Sequence, residues 1–455
     1  MTAPSSSFIP LAPLLQALIR FDTTNPPGNE SACVSYVNAL LQDAGCVTQI
    51  VSKSPERPNL IARLSGARAA PPLLLYGHLD VVPAADQPWM HPPFAGQVAD
   101  GCLWGRGALD MKGGIAMMLA AFLRAKAENL PLPGDVILAL VSDEEAGGVF
   151  GARFLVEEHS HLFQGVRYAI GEFGGFSMEM SGRRFYPIMV AEKQVCRLEL
   201  TVRGQGGHGS LTSRDRALAR LGQVLTRLDR GRLPVHITPA SRMMLQSISS
   251  HLPFPRNLAL RLLLCPPLSG FLSGLMGPAG NRLEPLLRNT VNATLVRGGE
   301  KVNVVPTQAT LTLDGRLLPG CTPDDLLAEL KPILGGLAEV RVLQHSPGPA
   351  HLDMGLFDTL AGIIREADPG GVAAPMLLPA TTDARFFARL GIQTYGFLPM
   401  RLEPGLDFLG TVHGPDERIP IAALDFGAEA IYQLLGKFNQ WQAVSTQTRM
   451  LPKGR

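Results

Sequence analysis

The run Leu73-Leu74-Leu75-Tyr76-Gly77-His78-Leu79-Asp80 constrains this chain more than any other. An apolar stretch that stops in Gly-His-x-Asp reads as a buried strand. It delivers an imidazole and a carboxylate to its C-terminal end, the edge where open α/β sheets place their ligands. Side chains alternate along extended backbone, so His78 and Asp80 share a face while Leu79 turns into the core. Such a pair is either a hydrogen-bonded structural contact or a metal ligand with a carboxylate that orients it. The choice depends on whether further donors arrive from elsewhere in the chain.

Four other segments supply them. Asp110 closes Gly105-Arg106-Gly107-Ala108-Leu109-Asp110 just before a helical segment over 115–126, where a carboxylate is favoured by the helix dipole as a cap or as a ligand. The apolar run 134–141 is a second buried strand and leads straight into Ser142-Asp143-Glu144-Glu145. Three consecutive acids repel one another unless a cation or water relieves them, so this is a solvated turn or part of a site. Residues 167–175 repeat the pattern with Glu172, and Thr411-Val412-His413-Gly414-Pro415 adds a late His before another helix. Imidazole and carboxylate without thiolate suit zinc, manganese or cobalt in a catalytic role. Five donors (His78, Asp110, Glu145, Glu172 and His413) with one carboxylate shared are the right number for two adjacent ions that keep open positions.

On these residues the chain resembles the co-catalytic zinc aminoacylase and carboxypeptidase family, which includes carboxypeptidase G, acetylornithine deacetylase and succinyl-diaminopimelate desuccinylase. Within it, the carboxypeptidase S and N-acyl amino acid hydrolase branch is the nearest. The matches run from Gly77 to His413 in the family's order. The resemblance implies that His78 and Glu172 hold one ion, Glu145 and His413 the other, and Asp110 bridges them. It makes Asp80 the carboxylate behind the first ligand and Glu144 the general base. One departure is visible, because the family usually has Gly after the third-strand Glu and Phe173 stands here.

The resemblance also implies an inserted lid that pairs two subunits. The turn Gly206-Gly207-His208-Gly209-Ser210 would belong to it, with His208 reaching the neighbour's active site as an oxyanion donor; an ordinary loop His is the alternative. Asn303 and Arg316 match substrate-binding positions, although Arg316 also reads as one half of a hinge salt bridge. Thr381 falls in a Thr-Asp-x-Arg loop on the substrate side, and Gly396 in a strand where a missing side chain lets substrate approach the backbone. The reaction implied is hydrolysis of an amide that releases a free amino acid, by hydroxide made available between two divalent ions. The substrate would be an N-acyl amino acid or a peptide. Two alternatives stay open: a dipeptidase or desuccinylase for small polar substrates, and an inactive binding protein on the same scaffold. Zinc is the expected metal, with cobalt or manganese as alternatives.

The rest of the chain is compatible with this reading. Its 455 residues exceed a single domain. Strands and helices alternate through 30–64 and beyond, which predicts an α/β fold with a doubly wound mixed sheet and a smaller inserted α/β lid. The expected division is 1–190 and 316–455 for the catalytic domain and 191–315 for the lid and dimer contact. A first helix is predicted over 8–20, further helices over 214–228, 324–334, 355–367 and 421–435, antiparallel strands over 183–190 and 196–202, and a loose tail after 440. The apolar segment 257–277 is broken by Arg261, Pro266, Pro267 and three glycines, so it lacks the run of about 20 residues that a membrane span requires. It is expected to pack in the lid or to line an entrance for greasy substrates, which favours N-acyl amino acids. A net charge of +2 gives no reason to expect nucleic acid. The six cysteines have no C-x-x-C spacing and no secretory pattern opens the chain, so a cytoplasmic homodimer is expected.

Overall fold

The computed structural model describes residues 10–439 except Ser213 and Ala350. The first two residues of the helix predicted over 8–20, and the tail after 440, lie outside the described residues. Nine strands form the larger sheet. Its spatial order is Val47–Ser52, Pro58–Leu64, Val136–Val141, Leu73–His78, Tyr168–Gly171, Gln393–Gly396, Arg183–Glu192 and Gly371–Leu378, with Met178–Met180 paired onto Arg183–Glu192. The four strands from Val136–Val141 to Gln393–Gly396 are mutually parallel. Their C-terminal ends therefore lie along one edge, and Glu144, Asp80, Glu172 and Gly396 follow or close them.

Val136–Val141 and the start of Leu73–His78 read as unbroken apolar runs because both sheet faces are covered. Leu73 and Leu75, with Val136, Leu138 and Leu140, point into a core formed with helices Leu11–Arg20, Ser31–Asp43, Lys112–Ala127 and Ile421–Lys437. Leu74, Tyr76, Ile137, Ala139 and Val141 point the other way, onto Phe154, Leu155, Phe163 and Phe387. This is the doubly wound arrangement the alternation predicts. Lys112–Ala127 lies between the sheet and Ile421–Lys437 and buries nearly its whole circumference, which explains its run of Ala, Met and Leu.

The second sheet is antiparallel throughout, ordered Thr290–Gly298, Gln308–Leu317, Gln194–Arg203 and Glu339–Ser346. Helices Ala217–Arg230 and Pro323–Leu334 cover one of its faces. A single buried residue, Lys193, separates Gln194–Arg203 from the larger sheet's Arg183–Glu192, and its Nζ donates to Arg288 O and Thr290 Oγ1 at 3.0 and 2.9 Å. The boundary expected at 315 falls inside Gln308–Leu317. The second sheet runs on to Ser346 because Glu339–Ser346 pairs with Gln194–Arg203, about 140 residues earlier, a non-local register that periodicity does not carry.

The apolar segment packs away from the second sheet. Leu245, Leu252, Leu260 and Leu263 pack with Phe185 and Ala374, which belong to strands at the far edge of the larger sheet. The segment thus caps that edge instead of joining the second sheet. No described helix is long and apolar enough to cross a membrane. Leu138 is fully buried and Leu275 is 74 % exposed, so Leu138→Ala is expected to cost about 2–5 kcal/mol in urea denaturation, whereas Leu275→Ala stays within about 0.5 kcal/mol.

Candidate metal centre

Three parallel strand ends and two loops bring the five predicted donors together. His78 Nε2 lies 3.1 Å from Asp110 Oδ1 and 3.3 Å from Glu172 Oε2. His413 Nε2 lies 3.1 Å from Asp110 Oδ2 and 3.3 Å from Glu145 Oε1. Asp110 therefore offers one oxygen to each side. The His78 triad is buried, while the His413 imidazole is 47 % exposed, so the pocket opens to solvent on that side.

Asp80 organises the approach to these groups. Its backbone carbonyl sits 2.9 Å from His78 Nδ1, and an Nδ1–H donated there leaves Nε2 facing the other donors. Its carboxylate stands 3.6 Å from the ring and mainly accepts the backbone N–H groups of Glu144 and Glu145, both at 3.1 Å. The short helical turn Glu144–Ala146 is thus pinned by the residue expected to orient the histidine. Asn25 Nδ2 ties Asp80 to Asp143 at 2.8 and 3.1 Å, and Arg57 links Asp143 to Glu30. Asp143, Phe173 and His413 all have positive φ, at 71°, 57° and 63°. Each such residue costs about 1–3 kcal/mol, and clustering at one place is a mark of function. Phe173 stands where the family usually has Gly, and the left-handed backbone gives that Gly its reason.

Charge is the dominant feature. Burial alone would lower the His78 pKa, but the charge on Glu172 and hydrogen bonds to Asp110, Asp80 and Glu172 push it well above its usual value. Hydrogen bonds to Asp110 and Glu145 push His413 up to about 10. Burial raises Glu172 to about 8, with His78 opposing and Asp110 adding repulsion. Burial would raise Asp110 too, yet hydrogen bonds from His413 and His78 hold it below the usual range. Burial, then the charges on Glu172 and Asp383, push Glu144 well up. The imidazoles take up protons here because the site demands positive charge.

The donor set fits divalent cations. In each triad the ligand atoms lie within 4.8 Å of one another, and Asp110 is common to both. Glu145 Oε1 is buried beside the His413 ring, 3.3 Å away, an acceptor that a cation between them would satisfy. Nitrogen and oxygen donors without sulfur suit zinc, manganese or cobalt.

His208, Asn303, Arg316, Thr381 and Gly396 belong to neither triad. His208 is exposed, with Nδ1 2.7 Å from Ser210 Oγ, in a two-residue strand paired with Val304–Val305. Asn303 is its neighbour there, since Gly209 N donates to Asn303 O at 2.8 Å. Arg316 meets Thr381, with Nη1 2.9 Å from Oγ1, and is also paired with Asp314 at 3.0 Å, so the salt-bridge alternative is present. Gly396 has a different reason from the one expected. A Cβ there would sit 2.3 Å from Glu172 O, so its missing side chain admits the neighbouring backbone, not a substrate.

Two supporting residues escaped the sequence. Glu417 is fully buried; it accepts from Leu109 N and Asp110 N at 2.8 and 3.0 Å and pairs with buried Arg106 at 2.8 Å. Arg106 also donates to the carbonyls of His413 and Gly414. The pair staples the Asp110 and His413 segments together. In sequence, Asp416-Glu417-Arg418 looks like a solvated turn, and only the charge of the buried Arg106 explains it.

The profile of peptidase family M20/M25/M40 matches residues 74–437. The human N-fatty-acyl-amino acid synthase/hydrolase PM20D1 is 30 % identical over 383 residues, covering 80 % of this chain and 73 % of the relative. A succinyl-diaminopimelate desuccinylase from Methylorubrum extorquens is 31 % identical over 435 residues, covering 92 % and 96 %. Among solved structures, the M20 family metallo-carboxypeptidase Sso-CP2 from Sulfolobus solfataricus shares the fold, with a TM-score of 0.67 at 18 % identity over 94 % of this chain and 99 % of that one. The profile begins within the strand that carries His78 and ends in the last helix, and on that match the chain belongs to peptidase family M20/M25/M40.

Proposed function

We propose that the chain is a two-metal amidohydrolase that cleaves N-acyl amino acids and releases the free amino acid. The observation that carries this is the pair of donor triads sharing Asp110, with Glu144 beside them and unused by either. Zinc is the proposed metal. Two divalent ions held there supply a water of lowered pKa and polarise an amide carbonyl.

The chain's own residues do the rest. The Glu144 carboxylate takes a proton from the attacking water and returns it to the leaving nitrogen; a raised pKa suits a group that must hold and release a proton near neutrality. His208, supplied by a partner subunit, would donate to the oxyanion. Arg316, with Thr381 and Asn303, would grip the substrate carboxylate. The preference for a greasy acyl group rests on similarity, because the cleft beside Asp110 and Glu172 that Leu109, Phe173, Leu398, Met400 and Phe408 wall holds about 10 Å³, room for a water and not for an acyl chain. The segment 257–277 does not contribute to that wall. The relative named for N-fatty-acyl amino acids favours the same reading; the one named for succinyl-diaminopimelate favours small polar substrates.

The proposed dimer forms through the second sheet. Its edge strand Thr290–Gly298 is open, with Leu295 and Val296 57 % and 55 % exposed, an edge that soluble proteins normally cover. The cysteines are free, which fits the reducing cytoplasm proposed as its compartment.

Glu144→Gln is expected to lower kcat by about 10²–10⁴-fold with metal content per chain unchanged by elemental analysis. An active variant would remove the general-base role. Chelation should abolish activity and added zinc restore it. In a panel of N-acyl amino acids, kcat/KM should rise about fourfold per buried methylene and exceed that for N-succinyl substrates and dipeptides. A flat profile would favour the polar-substrate alternative. Leu295→Lys with Val296→Lys should give monomers by light scattering and cut kcat by about 10²–10³-fold, the loss expected when an oxyanion donor is missing.

A further inference from the structure

The segment that caps the far edge of the larger sheet is amphipathic in the wrong sense for a protein in water. In helix Pro266–Leu275 the buried side chains are Ser269 and Ser273, only 2 % and 5 % exposed, while Leu268, Phe271 and Leu275 face outward. Those three recur at helical spacing, so they share one face. Phe271 and Leu275 are more than 70 % exposed, and Phe254, just before helix Arg256–Leu262, is 77 % exposed. Leu258 is also exposed and stands one turn from Arg261. Scattered apolar residues on a surface need no explanation, but a helix that buries serine and exposes phenylalanine does.

Charge identifies what covers this face. From residue 230 to residue 283 there is no Asp or Glu, and Arg230, Arg232, Arg242, Arg256, Arg261 and Arg282 all lie in that stretch. With the whole chain at only +2, the remainder is net negative, so along the sequence the positive charge is concentrated in the stretch that carries the exposed Phe254, Leu268, Phe271 and Leu275. Among the described residues, Arg256 bonds Ser181, and neither Arg261 nor Arg282 has an acidic partner. A second copy docking face to face would set these arginines against themselves. Outward Phe and Leu flanked by arginine are instead the features of a helix that lies in a lipid interface.

We propose that residues 253–283 dock the protein onto anionic bilayer surfaces, with Phe254, Leu268, Phe271 and Leu275 entering the acyl boundary and Arg256 and Arg261 pairing with lipid phosphates. The helices lie on the membrane and do not cross it, in keeping with their lengths of seven and ten residues. This inference does not depend on the reading of the metal centre, because its test reads binding and not turnover.

Metal-loaded full-length protein is sedimented with vesicles of phosphatidylcholine mixed with phosphatidylglycerol, and with vesicles of phosphatidylcholine alone. The expected result is partition onto the mixed vesicles that weakens in high salt. Phe271→Ser with Leu275→Ser should reduce binding at least tenfold, and Arg256→Gln or Arg261→Gln about fivefold each. Val47→Ser, on the opposite edge of the larger sheet, should leave binding unchanged. Unaltered thermal midpoints would show that the variants are folded. No partition onto the mixed vesicles would overturn the proposal. So would partition that Phe271→Ser with Leu275→Ser leaves intact, or light scattering in which that variant only dissociates a dimer.

Discussion

Negative charge crowded into a buried space is the constraint on which this structure turns. Asp110, Glu145 and Glu172 converge with two imidazoles in a pocket where unpaired carboxylates would repel one another and lose their hydration. Without a cation the histidines must carry protons, and their raised pKa values show how strongly the surroundings call for positive charge. The supporting layer obeys the same rule. Arg57 sits between Glu30 and Asp143, and Arg106 between Glu417 and the His413 backbone, so these three buried acids outside the centre each have a guanidinium beside them.

That layer shows why separate stretches of chain can make one rigid site. Asp80 holds the turn that carries Glu144 and Glu145, and Glu417 holds the backbone entering Asp110. Both anchors accept backbone N–H groups through fully buried oxygens, where hydrogen bonds to a charged group are strongest. Positive φ at Asp143, Phe173 and His413 is sustained by this network, which outweighs the local cost.

Much of the centre was legible because strand and donor are written together: apolar runs end in His78, in Glu144-Glu145 and in Glu172, and a parallel sheet sends all their ends to one edge. Asp110 was legible from its place before Lys112–Ala127 and from the family's order, and His413 from that order, since it follows the short helix Phe408–Thr411 and leads into the strand Arg418–Pro420. Glu417 and Arg106 were not, since a buried ion pair between residues 311 apart leaves no local pattern. Asn25 lies in a turn whose sequence reads equally as a plain connection, and only its contacts with Asp80 and Asp143 give it a purpose. The extent of the second sheet was hidden for a similar reason. A strand is legible at 340–343, but Glu339–Ser346 pairs with a strand distant in sequence, and that pairing has no local signal.

The passage through Lys193 has a consequence for how the molecule divides its labour. Every donor in the two triads comes from the larger sheet's side of that residue, while His208, Asn303 and Arg316 are carried by the other sheet or the loops attached to it. One extended crossing joins the two at Lys193, whose Nζ is held by Arg288 O and Thr290 Oγ1, and the chain crosses again around 231–290 and after Ser346. The residues proposed to greet a substrate thus sit on a different sheet from the candidate metal ligands, so the first set can drift over generations while the second stays fixed.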